Sequence, residues 1–545
     1  MHFRTLLSAF NIAPGEGLPV ALLLSHAFFM GLAGVLFYTA ASAVFLVAFA
    51  PTTLPYFYIA SSVFVALCGF LYAKLEARMP ISLLLPATLV LLVFSVVGWR
   101  LGLWLKHATW LAFGLLCWLR VLVVLTNLVF WGLAERLFNV RQGKRLFSLI
   151  GSGELAASIL GGFATPLLVP VLGTHNLLLI SALSLIACLG LLIVTPRTCT
   201  APLTAVAEAE PTAQATPHSL TQLLKQRYVV LIFLVQMLLI LVYYFVDFTF
   251  YTQTQAHYQT EAQLANFLGP FLGMVETVNF LTRTLLSSRL ITRYGLRVGL
   301  LVHPIGLMGF SVLLAVIGTT AGMRPLFFWL TALTKLCDEV LWKAIEEPVF
   351  LILYQPLPAQ QRFTVQIAMQ GIMGPLAVAL CGTILLFGNM AAHLGQLALV
   401  TVAVLAGTVV VSLKVQREYA GALKQALAKR TLEGMALSLH DPSSIAVLQR
   451  ELQSPYPGEV IYALELLEKL EHPPCQPCSC RYSTMPMSTY ARMCCVVSKG
   501  CERRRPLRQC DSILAPRPLR KPVRQPCERY VPWEKLRWSK KSCHT

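Results

Sequence analysis

Apolar residues come in blocks of roughly 20 or more along most of this chain, separated by short polar breaks. About twelve such blocks occur between Leu18 and Val411. They fall at about 18–40, 54–73, 80–98, 108–134, 148–171, 174–195, 228–250, 262–286, 297–318, 325–346, 364–387 and 393–413. Each is long enough for a helix to cross a bilayer core of about 30 Å. A backbone in hydrocarbon must satisfy its own hydrogen bonds, so helices are the expected elements. The pattern predicts an all-α integral membrane protein with about twelve transmembrane helices.

Composition agrees. The 545 residues are 56% hydrophobic and 13% charged, and a soluble domain cannot bury that much apolar surface. The net charge of +19 would point to nucleic acid in a soluble protein, but here it has other sources. Lys74 and Arg78, then Arg136, Arg141, Lys144 and Arg145, then Arg289, Arg293 and Arg297 lie in alternate loops. With a cytoplasmic N-terminus, all three groups face the cytoplasm, as the positive-inside rule asks. Arg100, Lys106 and Arg324 are exceptions. No cleavage site follows a short apolar core in "MHFRTLLSAFNIAPGEG", so the first span reads as an uncleaved helix. The bacterial inner membrane is the expected location, with both termini cytoplasmic.

A duplication is visible. "WGLAE" (Trp131–Glu135) matches "WKAIE" (Trp342–Glu346), and "LFYTA" (Leu36–Ala40) matches "TFYTQ" (Thr249–Gln253). "LYAKLEARMP" (Leu71–Pro80) matches "LSSRLITRYG" (Leu286–Gly295). All three pairs are offset by about 211–215 positions, which implies two parallel six-span halves. The expected units are 1–196, a polar linker at 197–227, and 228–415. This is the plan of a major-facilitator-like transporter. A short helical segment at 416–472 and a basic, Cys-rich tail at 473–545 follow.

The tenth block breaks the apolar rule. "TKLCDEVLWKAIEEP" (Thr334–Pro348) places Lys335, Glu339, Lys343 and Glu347 at successive i, i+4 positions, with alternating signs. Lys335 lies about 15 Å into the span, near the midplane. A charge facing lipid there costs at least ~2.5–3.5 kcal/mol, so the stripe is expected to face the protein interior, each charge paired on its own helix. Glu154, Asp247, Glu276 and Arg283 lie on other spans. With Lys335 and Glu339 they form the candidate substrate-binding or coupling set. Glu135, Arg136, Arg141, Lys144, Arg145, Lys343, Glu346 and Glu347 are the candidate gates or structural ion pairs. His26 and His303 read as packed histidines. "GSGELAASILGG" (Gly151–Gly162) contains no phosphate-loop lysine, and its glycines read as helix packing.

Three segments carry a family resemblance: "LAERLFNVRQGKRLFSLIGSGELAASILGG" (Leu133–Gly162), "YYFVDFTFYTQTQAHY" (Tyr243–Tyr258) and "YQPLPAQQRFTVQIAMQGIMGPLA" (Tyr354–Ala377). They resemble the ATP/ADP translocases of plastids and intracellular bacteria, and among these the bacterial relatives with a HEAT-repeat extension. The resemblance covers roughly 15–470. It implies nucleotide exchange through a central cavity, with Glu154 and Glu276 in the functional acidic positions and Lys335 as a basic partner. No Lys or Arg occurs in the first two spans. The resemblance implies a nucleotide or related anion as substrate, and no cofactor.

"DPSSIAVLQRELQSPYPGEVIYALELLEKL" (Asp441–Leu470) resembles one HEAT unit and could bind a protein partner. Past residue 473 periodicity ends. Nine of the 15 Cys lie there, with sixteen Lys/Arg against four acids. The tail reads as disordered and resembles a frameshifted gene end. "CQPCSC" lacks a second ligand pair, so no metal site is expected. No nucleic-acid partner and no enzymatic activity are expected. The competing reading is a non-transporting membrane receptor or scaffold whose transporter-like domain anchors a HEAT module.

Overall fold

The computed structural model describes residues 16–105, 109–138, 140–198, 223–318, 324–388 and 393–428. The described part is almost wholly helical. The first six spans are α1 (Gly17–Ala48), α2 (Leu54–Glu76), α3 (Ile81–Leu105), α4 (Thr109–Leu137), α5 (Val140–Leu172) and α6 (Leu177–Thr198). The second half starts with α7 (Arg227–His257), α8 (Glu261–Thr282) and α9 (Ser288–Gly318). The tenth span is α10 (Arg324–Leu341), a π turn at Trp342–Glu346, and α11 (Glu347–Leu353). The eleventh is α12 (Ala359–Ala368), a second π turn at Met369–Met373, and α13 (Gly374–Phe387). The last is α14 (Leu394–Ala428), which carries the expected charged segment from Gln416 onward without a break. Most of the linker, the HEAT-like segment and the Cys-rich tail lie outside the described residues.

Short connections make successive helices antiparallel. Gly17 therefore defines a near face of the bundle, and Ala48 and His257 reach the far face. Many helices outrun their apolar blocks by several residues, because helix ends continue into the polar margin of the bundle. Eleven of the described spans are long and apolar enough to cross a membrane by composition alone. The tenth fails that test because of its charges. The chain is a multi-pass membrane protein.

Sequence explains several local features. Thr260 caps α8, accepting from the Gln263 backbone while the Gln263 side chain accepts from the Thr260 backbone. Pro348 has no N–H to offer the Ala344 carbonyl one turn earlier. The tenth span widens into its π turn there, and Ser287 Oγ donates to the freed Ala344 oxygen at 2.5 Å. α9 breaks at Gly295, whose φ of 77° favours glycine. This is where the sequence separates the basic loop from the ninth span.

The glycine-rich stretch of α5 packs closely on both sides. Gly153 lies against the Leu24 carbonyl of α1. A side chain at Gly162 would come within 2.6 Å of the Gly269 carbonyl on α8. Small residues let these backbones approach without a hydrophobic driving force between helices.

The two halves meet at a pair of tyrosines. Tyr38 on α1 and Tyr251 on α7 hydrogen-bond through their hydroxyls at 2.6 Å. They are 213 positions apart, within the offset of the repeat. Equivalent residues meet where the two halves meet, as residues beside a shared axis would.

Candidate functional site

α10 brings its charges together on two different faces. The first faces α7 and α8. Lys335 Nζ lies 2.9 Å from Asp247 Oδ1 and 3.0 Å from Glu339 Oε1. It also sits 3.8 Å from the centroid of the Tyr243 ring, a cation–π contact. Tyr243 donates to Glu339 at 2.8 Å, and Tyr58 of α2 donates to Asp247 Oδ2 at 3.0 Å. Lys343 Nζ continues the line, 3.6 Å from Glu339 Oε2 and 2.6 Å from Glu276 Oε1 on α8. Asn279 donates to the other Glu276 oxygen at 3.1 Å. The result is a ladder of alternating charge: Asp247, Lys335, Glu339, Lys343, Glu276. Lys335 and Asp247 are each 2% exposed, so pairing is what makes their burial tolerable.

The i, i+4 pairs expected along the tenth span form for Lys335–Glu339 and Glu339–Lys343. Glu347 falls outside them. It makes no ion pair among the described residues, because the π turn before it shifts the register by a residue. The second face of α10 points to α9. His303 is clasped between Asp338, 3.1 Å from Nε2, and Glu346, 3.2 Å from Nδ1. All three are almost fully buried. His303 is packed, as expected, and also serves as the partner of two carboxylates.

The remaining expected residues separate. Glu154 and Glu276 line one cavity of about 160 Å³ between the halves, with Tyr38, Asn127 and Ser158. Glu154 makes no ion pair or hydrogen bond among the described residues. Arg283 is exposed in a π turn and has no ion pair there either. Arg145 pairs with Glu16, the residue that precedes α1, which also accepts from Gln142 at 2.8 Å. Glu135 is exposed at the end of α4, and neither it nor Arg136 forms an ion pair among the described residues. The side chains of Arg141 and Lys144 lie outside the described set. Among the described residues, no group of His, Cys, Asp and Glu is placed to hold a metal ion.

One central residue carried almost no sequence signal. Arg120, a lone cation in "LLCWLRVLVVL" (Leu115–Leu125), places its guanidinium carbon 5.6 Å from the centroid of Tyr244. α4 and α7 belong to different halves, so this contact spans the interface.

Several hydrogen bonds and one ion pair join the halves toward the far face. Gln255 donates to the Leu46 and Phe49 carbonyls at 2.6 and 2.8 Å. His175 lies 2.9 Å from Glu261. The Tyr38–Tyr251 and Tyr58–Asp247 bonds are deeper. Polar ties at the near face, such as Arg227–Glu418 and Tyr228 to the Leu353 carbonyl, stay within one half.

A family model described as TLC ATP/ADP transporter matches residues 55–419. The chain belongs to that family. Its fold is also that of solved transporters. The nucleoside transporter NupG is 14% identical with a TM-score of 0.52, over 73% of this chain and 99% of that one. A D-xylose-proton symporter is 14% identical at 0.50, over 73% and 96%. A POT family transporter in complex with a thioalcohol-conjugated peptide is 12% identical at 0.50, over 72% and 96%. At such identities the likeness concerns the fold, which is major-facilitator-like. None of the curated proteins compared is significantly similar.

Proposed function

We propose that this member of the TLC family moves nucleotides across a bacterial inner membrane by alternating access, its near face cytoplasmic. The observation that carries the reading is the charge ladder from Asp247 to Glu276, buried in the bundle beside a cavity between the halves. Charges at this depth are costly and mark substrate or ion pathways. The cross-half bonds at the far face, Gln255 to the Leu46 and Phe49 carbonyls and His175 to Glu261, support a state closed on the outside. Lys335, Asp247, Glu339 and Glu276 then couple substrate to helix movement. Glu154 faces the substrate in the cavity, and Arg283 stands toward the cytoplasmic mouth. The Arg145–Glu16 pair holds α5 to α1 at that mouth.

The test is uptake of labelled ATP and ADP by intact bacterial cells expressing the full chain, beside Lys335→Ala. Saturable uptake by the wild type, lost in the variant at equal membrane content, is the expected result. Absence of uptake by inserted, folded wild-type protein overturns the nucleotide reading.

A further inference from the structure

Every lysine of the ladder is already neutralised. Lys335 lies between Asp247 and Glu339, and Lys343 lies between Glu339 and Glu276. An anionic substrate meeting this arrangement finds no vacant cation in it. Arg120 differs. Its Nε is buried without a hydrogen-bond partner, and no carboxylate lies within ion-pair distance among the described residues. The groups around it are Tyr244, Tyr243, Asp247 and Tyr251. Asp247 among them already pairs with Lys335 and accepts from Tyr58.

The position of Arg120 makes its isolation costly. It lies eleven residues into α4, about 16 Å along the helix and near the bilayer midplane. A guanidinium there requires an anion or water, and stacking on one tyrosine offsets only part of its desolvation. Helical spacing puts Arg120, Val123 and Asn127 on one face of α4, at i, i+3 and i+7. Val123 and Asn127 line the cavity that contains Glu154 and Glu276. Arg120 itself does not line that cavity; it lies on the same side of α4, one turn beyond Val123 toward the far face.

We infer that Arg120 is the anion anchor of the transport path, binding a phosphoryl group of the substrate. The planar fork of a guanidinium matches a phosphoryl group with two parallel hydrogen bonds. An anion on Arg120 also sits on the face of α4 that meets Tyr244. The nucleotide identity of the substrate rests on the function proposed above, whereas the anion site rests on Arg120 itself.

The experiment titrates ADP, and separately inorganic phosphate, into purified full-length protein and into Arg120→Gln, following the melting temperature. Both ligands are expected to stabilise the wild type. The variant is expected to lose at least about tenfold in affinity for each, with its unliganded melting temperature equal to or above that of wild type. Arg120→Lys keeps the charge and loses the fork, so its ADP affinity is expected to fall by about three- to tenfold. If Arg120→Gln does not fold, this second variant decides. Equal ADP affinity in wild type and variant overturns the anchor and leaves the nucleotide reading intact. Phosphate binding that depends on Arg120, without ADP binding, supports the anchor and removes the nucleotide reading. Failure of both ligands to bind the wild type overturns both.

Discussion

The two halves repeat one plan and carry different chemistry. "WGLAE" lies near the end of α4 with Glu135 exposed and unpaired among the described residues, while "WKAIE" forms the π turn of the tenth span with Glu346 buried against His303. The motif is shared and the environment is not. α9 supplies an imidazole at the second site, and the π turn of Trp342–Glu346 turns the carboxylate toward it. At the interface, the first half contributes Tyr38, Tyr58, Arg120 and Glu154. The second contributes both lysines and the carboxylates that pair with them. The halves meet at matching tyrosines, Tyr38 and Tyr251, and differ in their ionisable groups. A packing residue must match its neighbour in shape. A charge must find a partner, and one half can supply both members of a pair.

The largest effect is expected where that concentration of charge is broken. Lys335→Met strands Asp247 in the interior and should cost about 3–5 kcal/mol in thermal unfolding of the purified protein. Adding Asp247→Asn should recover most of the stability without restoring uptake, which separates the structural role of the pair from the transport role. Gly162→Val tests the shared packing surface. Its side chain would meet the Gly269 carbonyl and the Gly273 backbone, so a loss of about 1–3 kcal/mol is expected, with reduced cross-linking between α5 and α8. Glu346→Ala against Glu135→Ala sharpens the comparison of the repeated motif. The first leaves His303 without one partner and should cost about 1–3 kcal/mol. The second should stay within about 0.5 kcal/mol. The smallest resolvable effect is Tyr251→Phe, which removes one cross-half hydrogen bond worth about 0.5–1.5 kcal/mol. Tyr38→Phe added to it should cost little more, since the two hydroxyls share that bond.

Much of the architecture was legible before any coordinates. Lengths of apolar text gave the spans, because a bilayer of fixed thickness imposes a minimum helix length. The tenth span was also legible despite its charges, since their i, i+4 spacing kept them on one stripe. Arg120 was harder to read. A single arginine in an apolar run looks the same whether it faces a cavity, a carboxylate or a lipid headgroup. The partner of His303 was hidden for a similar reason: Asp338 and Glu346 are 35 and 43 positions away, and nothing local joins them.

The sequence by itself determined what depends on near neighbours: the places of the spans, the Lys335–Glu339–Lys343 stripe, and the small-residue surface of α5. Tertiary structure alone decided which helix answers each charge. It joined Asp247 to Lys335 and Glu276 to Lys343, set His303 between two acids, and left Arg120 beside Tyr244. Pairing along a helix follows from a fixed rise and turn per residue. Pairing between helices follows from how their surfaces pack and cross, which no single segment specifies.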